Sequence, residues 1–437
     1  MRRNDVAVNA LIRAKVMGIL LFAVLGGMLF SCSQRAEKVG TDETGVTEGK
    51  VSEESFAPQP ITLTEQQKTF VDGNNAFTLK FLKMMDDADK SGGSYICSPL
   101  SITYVLGMVN DAATGTTEKE LENTLGFRNG GVQAVNSFCK MLIDSLPLVD
   151  KRVQLHIANA IFLNKGYNLQ PLFQQDMQAF YKAKAESLDF SSEESPKRIN
   201  GWCNEQTKGM IPSIINDMNP LAVSYLLNAI YFKADWADKF EESNTETDTF
   251  NTANGVMMLP MMRQMNEYRY VKNSVFSAVE LPYSNGQWRM TVMLPEAGKT
   301  TRDIVSYLAK NGMAFLSGSE WRDVDLKLPR FETESSTKDL IGMLKKMGIS
   351  RVFESTAEIP NMCDDNVFIS MMLQKARIRV DESGSEAAAV TVVETYAEAC
   401  EEEPEPPVIF HADHPFVYVI REASTGVILF VGRFTGR

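Results

Sequence analysis

Only three histidines occur in the 437 residues, and the motifs that most directly announce an enzyme are missing. There is no G-x-S-x-G elbow for a nucleophilic serine, no glycine-rich phosphate loop of the Walker type and no internal repeat. His411 and His414 in "HADHPF" have the composition of a metal pair, but they lie on an extended segment without the i, i+4 helical spacing. His156 sits in a strand-like run. The six cysteines form no C-x-x-C pair and no zinc-finger spacing. These residues support neither an enzyme nor a metal site, and no cofactor is expected. Lys and Arg number 44 against 56 Asp and Glu, a formal net charge of −12. The basic footprint of a nucleic-acid binder is therefore lacking too.

What is present begins with an address. Arg2, Arg3, Arg13 and Lys15 precede an apolar run from Val16 to Phe30, which is short for a bilayer-spanning helix. The run ends in "LFSC", similar to a bacterial lipobox, with small Ser31 before the cut and Cys32 as the lipidated residue. Phe30 is bulkier than is usual there. A plain N-terminal anchor and cleavage without lipidation are the competing readings. Residues 33–60 carry hardly any large apolar groups and read as a flexible tether. The expected organisation is a signal peptide over 1–31, a tether over 32–63 and one folded domain over 64–437. The expected location is the bacterial cell envelope, exported and lipid-anchored. Of the other cysteines, Cys97, Cys139, Cys203 and Cys363 read as small buried hydrophobes; Cys400 falls in an acidic, exposed stretch.

Along the domain, Thr64 caps a helix whose apolar face holds Phe70, Phe77, Phe81 and Met84. A second helix, a glycine-containing turn and a third helix follow, with Thr117 and Glu120 at capping-box spacing. "LHIANAIFLNKG" reads as a strand and "PLFQQDMQAFYKA" as a helix. "VSYLLNAIYFKADW" is nearly all apolar and predicts a central strand covered on both faces. Further strands are expected at "MTVMLP", "VDLKLPRFE", "VFISMMLQKARIRV", "HPFVYVIRE" and "GVILFVGRF", with the helix "TKDLIGMLKKMGI" between two of them. Helices come first and strands accumulate late, so the fold class is α+β.

Ten ordered pieces carry a family resemblance: "SPLSI", "LHIANAIF", "INGW", "NAIYFKADW", "LPMM", "VELPY", "LPRF", "ESGSEAAAVT", "ADHPFVYVI" and "GVILFVGR". From about Asn75 to Arg433 the chain resembles a serpin. The resemblance implies three β-sheets, about eight or nine helices and an exposed reactive loop. It implies a monomer that serves as a suicide substrate of serine proteases and forms a covalent complex with them. A target protease cleaves the loop, which then inserts as an extra strand into the central sheet.

The stretch "DESGSEAAAVTVV" supports that role on its own chemistry. Alternate side chains of a strand face opposite ways. One parity holds Ser385, Ala387, Ala389, Thr391 and Val393, all uncharged; the other holds Glu386, Ala388, Val390, Val392 and Glu394. The first face can lie on a packed core and the second can meet solvent. Gly384 fits a hinge because it lacks a Cβ, and Glu382 leads into it. A serpin-fold lipoprotein that only binds or supports is the alternative function; bulky or charged residues or proline at the inward hinge positions would favour it, and none is present.

Further roles come from the resemblance residue by residue. Ser98, Ser101 and Asn228 correspond to a hydrogen-bonded shutter beneath the central sheet. A histidine usually completes it; here Gln374 stands in that place, still able to donate and accept, so the shutter is expected to work without a pH response. Trp236 corresponds to the aromatic at the top of the sheet where insertion begins. In the family roughly fourteen residues, about 45 Å of strand, separate the hinge glycine from the residue before the cut. Counting from Gly384 gives Glu398–Ala399 as the reactive bond, with Ala397 and Ala399 as neighbouring candidates for the residue before it. An elastase-like protease, or one that cleaves after acids, is the expected target.

Overall fold

The computed structural model describes residues 57–336, 339–385 and 405–436. The chain is already hydrogen-bonded to the domain ahead of Thr64, through Gln59 N to Val149 O and Ile61 N to Ser424 Oγ. Helix α1 (Glu65–Ala88) starts at Thr64, whose hydroxyl accepts from Gln67 N while the Gln67 side chain accepts from Thr64 N. After β1 (Tyr95–Cys97), α2 (Pro99–Ala112) is buried at every position, as a helix apolar around its whole circumference must be. It packs on both sheets and forms the centre of the core. Next come α3 (Gly115–Leu125), α4 (Val132–Ser145), β2 (Gln154–Asn164), α5 (Pro171–Tyr181), β3 (Lys184–Leu188), α6 (Glu194–Gln206) and β4 (Ser224–Asp235). The middle of the chain is strand-rich: β5 (Glu246–Thr252), β6 (Gly255–Lys272), β7 (Phe276–Tyr283) and β8 (Trp288–Pro295). Then follow α7 (Thr301–Asn311), β9 (Glu320–Pro329), β10 (Phe331–Ser336), α8 (Leu340–Met347), β11 (Met371–Val380) and β12 (Gly384–Ser385). The chain ends in β13 (Val408–His411), β14 (Phe416–Glu422) and β15 (Ile428–Phe434).

Two local expectations need correction. Thr117 is not a cap: α3 begins at Gly115, because the Glu358 carboxylate accepts from the amides of Thr116 (2.7 Å) and Thr117 (3.1 Å) and supplies the N-terminal acceptor from elsewhere in the chain. Glu120 instead binds the amides of Ser350 and Arg351. The run "VDLKLPRFE" is two strands, not one. Pro329 ends β9 in one sheet and Phe331 opens β10 in the other, so Arg330 sits at the crossing. The α1–α3 contact depends on glycine: a Cβ on Gly126, itself at φ +90°, would stand 2.2 Å from Gly73 C.

The strands form two hydrogen-bonded sheets. The larger runs β1-β15-β14-β8-β7-β6-β9-β13 with β5 on β6; the smaller runs β10-β11-β4-β2-β3 with β12 on β4. Two of the three sheets implied above are continuous in hydrogen bonding because the 18-residue β6 belongs to both: it pairs with β5 over 255–261, with β9 over 261–270 and with β7 over 269–272. Cys97, Cys139, Cys203 and Cys363 are buried free thiols, and burial pushes Cys139 and Cys203 up to about 12.

Candidate functional site

The site is the gap between β4 and β11 in the smaller sheet. β4 is apolar on both faces because α2 packs on one face and α6 on the other, while β2 pairs one edge. On its other side it pairs in parallel with β11, but only residues 225–229 against 371–375. Above that, β11 continues to Val380 paired with β10 alone. Among the described residues no strand pairs with 230–233 of β4 on that side. The chain leaves β11, turns at Asp381–Gly384, and sends Gly384 and Ser385 back down into the mouth of the gap. They pair antiparallel with Asp235 and Ala234.

This turn is held from several sides. Trp236 N donates to Ser383 O (2.8 Å), Phe240 N to Glu382 O (2.9 Å) and Trp236 Nε1 to Asp381 O (3.0 Å). The Trp236 ring stacks on Tyr283 at 4.3 Å between centroids. Gly384 adopts φ +143°, and a Cβ there would stand 2.2 Å from Ala234 O, so no other residue fits this position without moving β4. Ser385 is buried against Tyr283, with 3.0 Å between the two hydroxyls. Glu382 is buried as well. Arg330, from the crossing between the sheets, donates to it at 3.1 and 2.5 Å, and Thr245 Oγ1 donates at 2.6 Å. Burial alone would raise the Glu382 carboxyl; the Arg330 and Thr245 bonds outweigh it and hold the group below the usual carboxylate range.

Lower in the gap lies a row of amides. Asn159 of β2, Asn228 of β4 and Gln374 of β11 occupy one register across the three strands. Gln374 Nε2 donates to Ser98 O (2.7 Å) at the start of α2, and Ser101 Oγ donates to Ser98 Oγ (3.1 Å). Asn228 does not join those serines. It donates to Asn159 Oδ1 (2.9 Å) and the Ala158 carbonyl (3.4 Å). Asn228 Oδ1 and Gln374 Oε1 are buried without a protein partner among the described residues. All five side chains are buried.

The structure thus brings Glu382, Gly384, Ser385 and Trp236 together at the top of the gap, and Ser98, Ser101 and Gln374 together lower down with Asn228 beside them. Glu386, Ala387, Ala388, Ala389, Thr391, Glu398, Ala399 and Cys32 lie outside the described residues. Three contributors escaped the sequence reading: Arg330, Tyr283 and Asn159. Asn159 was legible in principle, as the one polar residue amid "ANAIF". Arg330 and Tyr283 had no local signal.

A family model described as Serpin (serine protease inhibitor) matches residues 72–436. Among curated relatives, an uncharacterized serpin-like protein of Thermococcus kodakarensis is 33% identical over 389 residues, 87% of this chain and 90% of the relative. The leukocyte elastase inhibitor of Sus scrofa is 32% identical over 378 residues, 83% of this chain and 98% of the relative. Among solved structures, human thyroxine-binding globulin in complex with thyroxine superposes with a TM-score of 0.76 at 28% identity, covering 84% of this chain and 98% of that one.

Proposed function

The chain belongs to the serpin family, and we propose that it inhibits serine proteases by sacrificing its own loop. The observation that carries this reading is the seated hinge: Gly384 and Ser385 already occupy the mouth of a gap whose upper half has no other strand among the described residues. The protease serine attacks the carbonyl of Glu398. The Glu398–Ala399 bond breaks, the Ala399 amine takes up a proton and leaves, and Glu398 stays esterified to the enzyme. The freed loop end then follows Ser385 into the gap, carrying the acyl-enzyme with it before water can hydrolyse the ester.

The register of the hinge fixes what would insert where. Ser385 opposes Ala234 and Gly384 opposes Asp235. Continued antiparallel, that register sets Glu386 against Lys233 on the outer face and Thr391 against Asn228 on the inner one. Thr391 would then enter the amide row, and its hydroxyl could donate to Asn228 Oδ1 or Gln374 Oε1. Residues 390–394 would have to part β4 from β11, since those positions are now paired.

Incubation with a panel of elastase-like and acid-cleaving serine proteases tests the reading. A covalent complex that survives SDS is expected, with a released C-terminal peptide beginning at Ala399. Clean cleavage by every protease, without loss of protease activity, would instead favour a serpin-fold binding protein, a reading the similarity to thyroxine-binding globulin keeps in play. The proposal extends to the address: a lipid on Cys32 holds the monomer on a bacterial envelope, against a protease from outside the cell. Replacing Cys32 with Ala should move the protein from the detergent phase to the aqueous phase; unchanged partitioning would remove the lipid from the account.

A further inference from the structure

Three strands present one solvent-facing side next to the point where the loop rejoins the domain. Met265 of β6, Asp325 of β9 and Ile409 of β13 form one cross-strand row, and Arg263, Lys327 and His411 the next. The alternate residues Tyr268, Val324, Leu326 and Phe410 are buried on the core side. On the outward side three large apolar side chains remain exposed: Met265 at 58%, Trp321 at 54% and Ile409 at 73%. Arg269 lies over the Trp321 ring at 5.8 Å. Beside them is a cavity of about 430 Å³, lined in part by Met261 and the acids Glu246, Asp248 and Asp325. Its two cations are already engaged, Arg263 with Asp325 (2.9 and 2.7 Å) and Lys327 with Asp248 (2.6 Å). The Glu246 carboxylate forms no hydrogen bond or salt bridge among the described residues and acts on Arg263 only at longer range, so the acids of the cavity outnumber its cations.

We propose that this face is a second docking surface for the target protease, and that the protease is cationic. The inference rests on the inhibitor reading above and names the partner's chemistry. Glu405 is tied to Arg322 of β9 at 2.8 Å. Six residue steps separate it from Ala399, so the chain between them can reach at most about 20 Å from Glu405 at ~3.3 Å per residue. A protease–inhibitor interface buries about 800 Å² on each partner, and an enzyme held on so short a tether reaches the β13 edge. Exposed Trp, Met and Ile, with an Arg on the ring, are the side chains that anchor such interfaces. Acids predominate: Glu394, Glu398, Glu401, Glu402 and Glu403 flank the bond in sequence, the cavity holds more acids than cations and the chain carries −12. An acidic enzyme would be repelled by all of these and a basic one steered in.

The test measures the second-order rate of covalent complex formation by the full chain with an elastase-type serine protease of basic isoelectric point, at low and at physiological salt. Trp321→Ala and Met265→Ala should each slow the rate about 3- to 10-fold. Glu246→Gln should slow it about 2-fold and flatten its salt dependence. The fraction trapped per cleavage should not change, because the hinge is untouched. Leu172→Ala, at an exposed leucine of α5 outside this face, should do nothing. If Trp321→Ala melts early, Ile409→Ala reads the same surface. Parental rates and salt dependence in all these variants would overturn the docking surface and leave recognition to the loop alone. If the parent traps no protease, the inhibitor reading fails instead. The rate of plain loop cleavage then decides the surface: it slows with Trp321→Ala if the face docks the enzyme and is unchanged if it does not.

Discussion

The two halves of the β4–β11 gap are built on opposite plans. In the lower half, residues 225–229 and 371–375 pair in parallel, closed, over an amide row in which Asn228 Oδ1 and Gln374 Oε1 have no protein partner among the described residues. In the upper half the strands are open, yet the hinge in the mouth is fully engaged: Glu382 is bound by Arg330 and Thr245, Ser385 meets Tyr283, and Trp236 clasps the turn. The closed part is loosely satisfied and the open part tightly latched. On the proposed insertion, a sheet arranged this way would part from the top downwards, and the arriving strand would satisfy what was left unpaired below.

The largest effect is expected at Ser385, where the latch and the route of entry coincide. Ser385→Arg places a long cation on the buried face beside Tyr283, where an unpaired charge is severely unfavourable. The loop should still be cut at the same bond, but the trapped fraction should fall at least about 10-fold, roughly 1.4 kcal/mol in the partition. Glu386→Arg, one residue on and facing outward, should trap nearly as well as the parent. Equal losses at both positions on an SDS gel would remove the distinction between faces.

Thr391→Val probes the lower half. While the loop is outside, the intact protein should melt as before. After cleavage the variant should melt lower than the cleaved parent, because the valine side chain would bring no donor to the amide row, at a cost of about 1–2 kcal/mol. Equal melting of both cleaved proteins would show that Thr391 does not reach Asn228.

A smaller effect separates the latch from the route. Glu382 has a depressed native pKa, so the stability it contributes is complete above its ordinary value of 4.5 and is lost as pH falls through the lower, native value. Arg330 is 44% exposed, so solvent screens the pair and about 1 kcal/mol is expected. Hydrogen exchange across residues 236–240, whose amides bind Ser383 O and Glu382 O, should quicken several-fold in Glu382→Gln at pH 6. Below the native carboxyl value the parent should catch up with the variant. Exchange that is the same in both at pH 6 would mean the ion pair does not hold the hinge.

Much of this contrast was legible in the sequence where the signal is local. The unbroken apolar run of β4 predicted a strand covered on both faces, and the alternation from Ser385 onward put an uncharged side chain where the structure has a buried one. The glycine at 384 is required by a contact with Ala234 that no one-dimensional pattern records, but its lack of a Cβ flagged the position. What stayed hidden came from distant partners. Arg330 lay inside what read as one strand, and its role exists only because Pro329 and Phe331 belong to different sheets. Nothing local marked Glu382 as buried and paired, because its two donors are 52 and 137 residues away. Thr117 and Glu120 had the spacing of a cap, and Glu358 took the place by reaching across from another segment. Asn228 shows the limit from the other side: its register with Gln374 holds, while its hydrogen bonds go to β2.

The central claim is that the open upper half exists to receive the cleaved loop. Melting intact and loop-cleaved protein side by side tests it most directly. Burying Ala387, Ala389, Thr391 and Val393 at about 0.8 kcal/mol per methylene-sized group, with ladder bonds on both sides, should raise the melting temperature of the cleaved form by roughly 10 °C or more. An unchanged melting temperature after complete cleavage would mean that the strand stays outside and the gap serves some other end.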